Sequence, residues 1–112
     1  MYRLNVINAV RKEIKKLPSG LQAAMLDGLE ELAQYGVALK EPSVRDLGRH
    51  GLKELRINSQ EGIARSLFFF EKGKQIYIVL TYQKKTQKTP QSILIVAEQR
   101  MKALKRSINN EK

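Results

Sequence analysis

The stretch LKELRINSQEGIARSLFFFEKGKQIYIVLTYQ, residues 52–83, decides the fold. Three β-rich segments, Leu52–Asn58, Ile63–Phe70 and Gln75–Gln83, are joined by short connections carrying Gly62 and Gly73, which predicts an antiparallel meander. In the first segment Leu55 and Ile57 alternate with Glu54 and Arg56, giving a core face and an opposite, polar face. Phe68, Phe69 and Phe70 place apolar groups on both faces of the second, so it is expected to be a central strand covered by helices on one side. Parity in the third puts Tyr82 on the face of Ile76, Ile78 and Leu80, where it either packs in the core or offers its ring for base stacking at the rim.

Upstream, Tyr2, Leu4 and Val6 alternate with Arg3 and Asn5 as in a half-buried strand. Val10, Ile14 and Leu17 then follow at helical spacing until Pro18. Ser19 with Gln22 has capping-box spacing, and Leu21, Met25, Leu29 and Leu32 form the stripe of a second helix that ends at Tyr35-Gly36. A linker with Pro42 and Gly48 leads into the meander. Downstream, Thr89 is placed as an N-cap and Pro90 as the first position of a helix whose core side is Ile93, Ala97, Met101, Leu104 and Ile108. Its tail, INNEK, is expected to fray. The expected fold class is α+β, in the order β-α-α-β-β-β-α: a four-stranded, mostly antiparallel sheet with two N-terminal helices and one C-terminal helix, as a single domain over 1–112.

Composition narrows the chemistry. With no cysteine, disulfides, thiolate metal sites and a cysteine nucleophile are excluded, and the single histidine, His50, allows no His–His acid/base pair. The longest apolar runs, Ile76–Leu80 and Ile93–Ala97, are far short of the ~20 residues of a membrane span, and the N-terminus lacks a secretory pattern. A cytoplasmic location with no membrane partner is expected. No glycine-rich phosphate loop or metal-ligand cluster is present in the sequence, so neither metal nor cofactor is expected.

The formal charge of +10 points to a polyanion or an acidic protein as partner. Residues 1–48 hold seven Lys/Arg against six Asp/Glu, whereas residues 49–112 hold fourteen against five, so the excess belongs to the half that carries the meander. Arg56 has the outward parity of its strand. Arg65 interrupts an apolar strand, where a lone guanidinium is prohibitively costly to bury; it needs either an internal salt bridge, with Glu54 as a candidate, or a phosphate. Lys84, Lys85 and Lys88 crowd one another before the last helix, either as a solvated loop or as a phosphate site. His50 between Arg49 and Gly51 reads as a solvated loop residue, and Glu54 is a weak candidate base because arginines surround it.

GLKELRI at 51–57, the strand arginine of IARSLFFF at 63–70, the string KKTQKTP at 84–90 and the helix ILIVAEQRMKAL that follows resemble, in this order, the HigB-like, phage-associated branch of the RelE superfamily of type II toxins. The resemblance covers nearly the whole chain. It implies a ribosome-dependent mRNA interferase, a metal-free endoribonuclease that enters the ribosomal A site and cuts messenger until a cognate antitoxin, of helix-turn-helix type or a small acidic protein, neutralises it. A ribose 2′-OH would attack the adjacent phosphorus while the 5′-oxygen leaves. Carried over by motif, Arg56, Arg65, Lys84 and Lys85 become the catalytic, phosphate-binding set, and Lys53, Tyr82 and Lys88 the RNA contacts. Two departures matter: Ala64 stands where the branch usually has an aromatic before the arginine, and no aromatic or histidine follows Tyr82, so the general acid and base stay unassigned. The alternatives are a DNA gyrase inhibitor of the ParE-like branch and a non-catalytic nucleic-acid-binding domain.

Overall fold

The computed structural model describes residues 1–110. In chain order it contains β1 (Arg3–Val6), α1 (Asn8–Lys15), α2 (Ser19–Tyr35), β2 (Val44–Arg49), β3 (Leu52–Ser59), β4 (Gly62–Glu71), β5 (Gln75–Lys84) and α3 (Gln91–Asn110), with a 3₁₀ turn at Gly36–Ala38. The architecture is α+β, with two N-terminal helices, a C-terminal helix and a mixed sheet of five strands ordered β1-β5-β4-β3-β2. β1 runs parallel to β5; every other pair is antiparallel.

The fifth strand corrects the expected four. β2 lies in the segment expected to be a linker, and pairs Val44 with Leu55, Arg45 with Glu54 and Asp46 with Lys53 before its register shifts ahead of Arg49. Only Val44 of β2 is buried, and it faces the α1/α2 layer while Leu47 packs on the α3 side. An edge strand split in this way has no one-sided apolar alternation to betray it.

Helices cover both faces, not one. Leu55, Ile57, Ala64, Phe68, Ile76 and Ile78 pack with Val10, Ile14, Leu21, Met25, Leu29 and Leu32 of the first two helices. Leu52, Leu67, Phe69, Val79 and Leu80 pack against Leu94, Ala97 and Met101 of α3. The consecutive phenylalanines of β4 therefore feed two cores in alternation. A register shift also corrects the placement of Tyr82: Leu67 pairs with Leu80 but Phe68 with Ile78, so Val79 is an extra residue. That bulge inverts the parity of β5, leaving Ile76 and Ile78 on the α1/α2 face and Leu80 and Tyr82 on the α3 face.

Local expectations met mixed outcomes. α2 stops where expected: Gly36 is buried at φ +51°, and a Cβ there would collide with the Tyr2 ring. The Ser19–Gln22 capping box does not form, because Ser19 is already helical; Gln22 Nε2 instead donates to the carbonyls of Lys15 and Leu17. The cap comes from the β3–β4 turn, where Glu61 Oε2 accepts the Leu21 amide at 3.0 Å over a Gly20 with no side chain to obstruct it. Thr89 is not an N-cap either, since the carbonyl of Pro90 receives the first helical bonds. Of the INNEK tail, Ile108–Asn110 are helical; 111–112 lie outside the described residues.

β1 ends at the pair Val6–Ile78, leaving the edge of β5 beyond it without a strand partner. Glu13 of α1 accepts the Thr81 amide at 3.0 Å, Arg100 of α3 donates to the Val79 carbonyl at 2.9 Å, and the two side chains pair at 2.8 Å. Helices on opposite faces are thus joined around an edge whose polar groups would otherwise be unmatched.

Candidate functional site

The α3-facing side of the sheet is only partly covered. Cross-strand register sets three rows on it: Glu54–Leu67–Leu80, Arg56–Arg65–Tyr82 and Asn58–Ile63–Lys84. α3 packs on the first row, through Leu67 and Leu80, and on Phe69 and Tyr77 beyond it. At the other end Ile63 is 39% exposed, and the sheet opens into a cavity of about 510 Å³ lined by Arg56, Ile63, Arg65, Lys84, Lys85, Thr86 and Gln87.

Four expected catalytic residues therefore meet on one cavity, and no acidic residue lines it. Arg56 comes from β3, Arg65 from β4, Lys84 from the end of β5 and Lys85 from the segment entering α3, closed on itself by the Thr86 hydroxyl donating to the Lys88 carbonyl at 2.7 Å. Arginines directly opposite each other across a ladder destabilise it unless an anion offsets them.

Part of that compensation is internal. Arg65 is 3% exposed and Glu54 2%. Arg65 Nε lies 3.6 Å from Glu54 Oε1 and makes no hydrogen bond, while Nη1 donates to the carbonyls of Ala64 at 2.9 Å and Ile57 at 3.5 Å. The expected internal partner of Arg65 is present in Glu54, and the same side chain lines the cationic cavity. Burial pulls its pKa below the ordinary value, the Glu54 carboxylate opposes that pull, and Arg56 adds to it.

Glu54 Oε2 accepts the Thr89 hydroxyl at 3.2 Å, and Thr89 Oγ1 accepts the Tyr82 hydroxyl at 3.4 Å. Burial pushes the Tyr82 phenol above its usual range, against the opposing Thr89 hydrogen bond. Tyr82 packs with the α3-side core and lines neither cavity at this end. A second cavity of about 330 Å³ shares Lys84 and Gln87 with the first and is lined also by Arg45, Asp46, Leu47, Glu54, Lys88 and Thr89.

Lys88 thus stands beside the site, but Lys53 does not. Lys53 pairs with Asp46 at 2.9 Å and lies on the α1/α2 side of the sheet, because residues 53 and 56 have opposite parity in β3. His50 sits exposed at φ +55° in the β2–β3 turn, away from the cavity lining. Sequence reasoning missed Arg45, which sits in the unrecognised strand, and gave Thr89 a capping role in place of its bond to Glu54. The string KKTQKT was the available signal for the loop, as its Thr86 and Gln87 complete the wall.

Among the described residues no group of three or more His, Cys, Asp or Glu is arranged to hold a metal ion, and no helix is long and apolar enough to cross a membrane. What the arrangement can do is bind a phosphodiester and neutralise charge on its non-bridging oxygens. No curated protein matches the sequence. The family model described as phage derived protein Gp49-like (DUF891) matches residues 12–102, and the chain belongs to that family.

Proposed function

We propose that this protein is a toxin of the RelE/HigB-like kind, an endoribonuclease that cuts messenger RNA on the ribosome and is held in check by a cognate antitoxin. One observation carries the reading: Arg56, Arg65, Lys84 and Lys85 converge from three strands and a loop on a single cavity without an acidic lining residue. Such a cavity suits a phosphodiester whose 2′-OH attacks phosphorus as the 5′-oxygen departs, because the cations stabilise charge that builds on the phosphoryl oxygens. Arg56 and Arg65 hold the phosphate from the sheet, and Lys84 and Lys85 close on it from the chain entering α3. Lys88 follows the RNA backbone into the adjoining cavity. The ribosome supplies the orientation of the substrate, which accounts for a large share of a barrier when reacting groups are aligned.

The test is brief expression in a bacterium followed by primer extension on recovered messenger. New cuts and growth arrest are expected. Lys84→Ala and Arg56→Ala are each expected to lower cutting by roughly 10²–10³-fold, the loss typical when one preorganised charge donor is removed. Arrest without cuts, accompanied by loss of supercoiling in a gyrase assay, would replace this reading with gyrase inhibition; neither arrest nor cuts would leave a binding domain.

A further inference from the structure

We infer that Glu54 is the positioning residue of the cationic cavity: it aims the Arg65 guanidinium at the bound phosphate and, through Thr89, fixes the opposite wall. The inference rests on the phosphodiester-binding reading above. Glu54 does not line the cationic cavity, yet it reaches both of its sides. Toward the sheet, Oε1 faces Arg65 Nε at 3.6 Å; toward the loop, Oε2 accepts the Thr89 hydroxyl at 3.2 Å, four residues from Lys85. With Nε turned to the carboxylate and Nη1 held by two carbonyls, Nη2 is the guanidinium nitrogen free of these contacts in a side chain that lines the cavity.

The separation of 3.6 Å, without a hydrogen bond from Nε, shows an ion pair that orients Arg65 without exhausting its donors. A buried guanidinium has few ways to sit, and removing the carboxylate would let it turn toward other acceptors or water. Coulomb's law alone predicts the opposite consequence. Taking a negative charge from beneath a cationic cavity raises its potential and tightens anion binding. The sign of the change therefore separates aiming from simple charge.

The probe is a short single-stranded RNA with 2′-O-methyl riboses, which cannot be cut, titrated at one fixed low salt concentration against the full chain. Glu54→Gln is expected to weaken binding about tenfold, on the scale of one charge-assisted hydrogen bond, despite the gain in net positive charge. Glu54→Asp keeps the charge but retracts it by one methylene, and is expected to weaken binding several-fold. In an Arg65→Gln background, Glu54→Gln is expected to add no further loss, because its effect passes through the arginine. Thermal melts confirm the fold of each variant, and if Glu54→Gln unfolds, Glu54→Asp decides.

Binding by Glu54→Gln equal to or tighter than the original, unchanged affinity in Glu54→Asp, or losses that multiply in the double variant would each overturn the assignment. If the variants show the expected pattern with the probe but the unaltered chain cuts no messenger, the positioning role stands and the nuclease reading falls. If the unaltered chain does not bind the probe, both fall.

Discussion

The two faces of the sheet are built from the same strands and do different work. On the α1/α2 face, the central inward residues of β3, β4 and β5 are apolar, except Ser66 and Thr81, whose hydroxyls pair at 2.6 Å. The α3 face is apolar only as far as Leu67 and Leu80; one row further come Arg56 and Arg65, and α3 gives way to a basic loop. A face with a continuous apolar core at its centre can supply the stability that lets the other leave charged groups uncovered, since like charges set opposite each other cost stability wherever they stand.

The contrast breaks first, and by the largest amount, at Phe68. Its side chain is fully buried against the first two helices and meets the Phe70 ring edge-on with centroids 5.5 Å apart. Phe68→Ala is expected to cost about 3–5 kcal/mol, most of what a small domain has, as read from urea or thermal unfolding. Lys84→Ala, on the other face, is expected to do the reverse: a large loss of cutting with an unfolding midpoint close to that of the unaltered protein. If both variants lost stability alike, the division of labour between the faces would be wrong.

A middle-sized effect tests whether the α1/α2 side is tied to the meander independently of the site. Glu61 at the β3–β4 turn caps α2 by accepting the Leu21 amide. Glu61→Ala is expected to lower stability by about 1 kcal/mol, the usual value of a helix cap, and to leave messenger cutting unchanged. A drop in cutting at matched folded fraction would mean that the α2 anchor communicates with the cavity.

How far the sequence alone reaches can be judged at particular residues. The three long strands and all three helices are legible because their apolar spacing is regular over many residues. β2 is not, since its Val44 and Leu47 serve different cores. The side taken by Tyr82 is not, since a single bulged residue, Val79, changes the parity of everything after it. For the site, period two already sends Arg56 and Lys53 to opposite faces of β3, so the separation of Lys53 from the cavity was legible in the sequence. The Glu54–Arg65 contact could be suspected but not oriented. It joins neighbouring rows, Glu54 lying opposite Leu67 and Arg65 opposite Arg56, and such diagonals exist only once register is known.

The smallest expected effect lies at Lys53 and its partner, and it sharpens the comparison by showing that this ion pair belongs to the scaffold. Asp46 has its carboxyl pKa held below the ordinary value, first by the Gly48 amide that donates to Oδ1 at 2.7 Å and then by Lys53. A carboxyl whose folded pKa is depressed contributes stability above its unfolded value of 3.8, and that contribution is lost as pH falls through the lower, folded value. Asp46→Asn is therefore expected to flatten slightly the acid limb of a plot of urea midpoint against pH, with no weakening near neutrality of RNA binding. The exposed position of Asp46 keeps the effect small, since solvent screens such pairs. A weaker grip on the uncleavable RNA in this variant would instead put Lys53 back among the residues that touch substrate, and the face carrying the first two helices could no longer be regarded as scaffold alone.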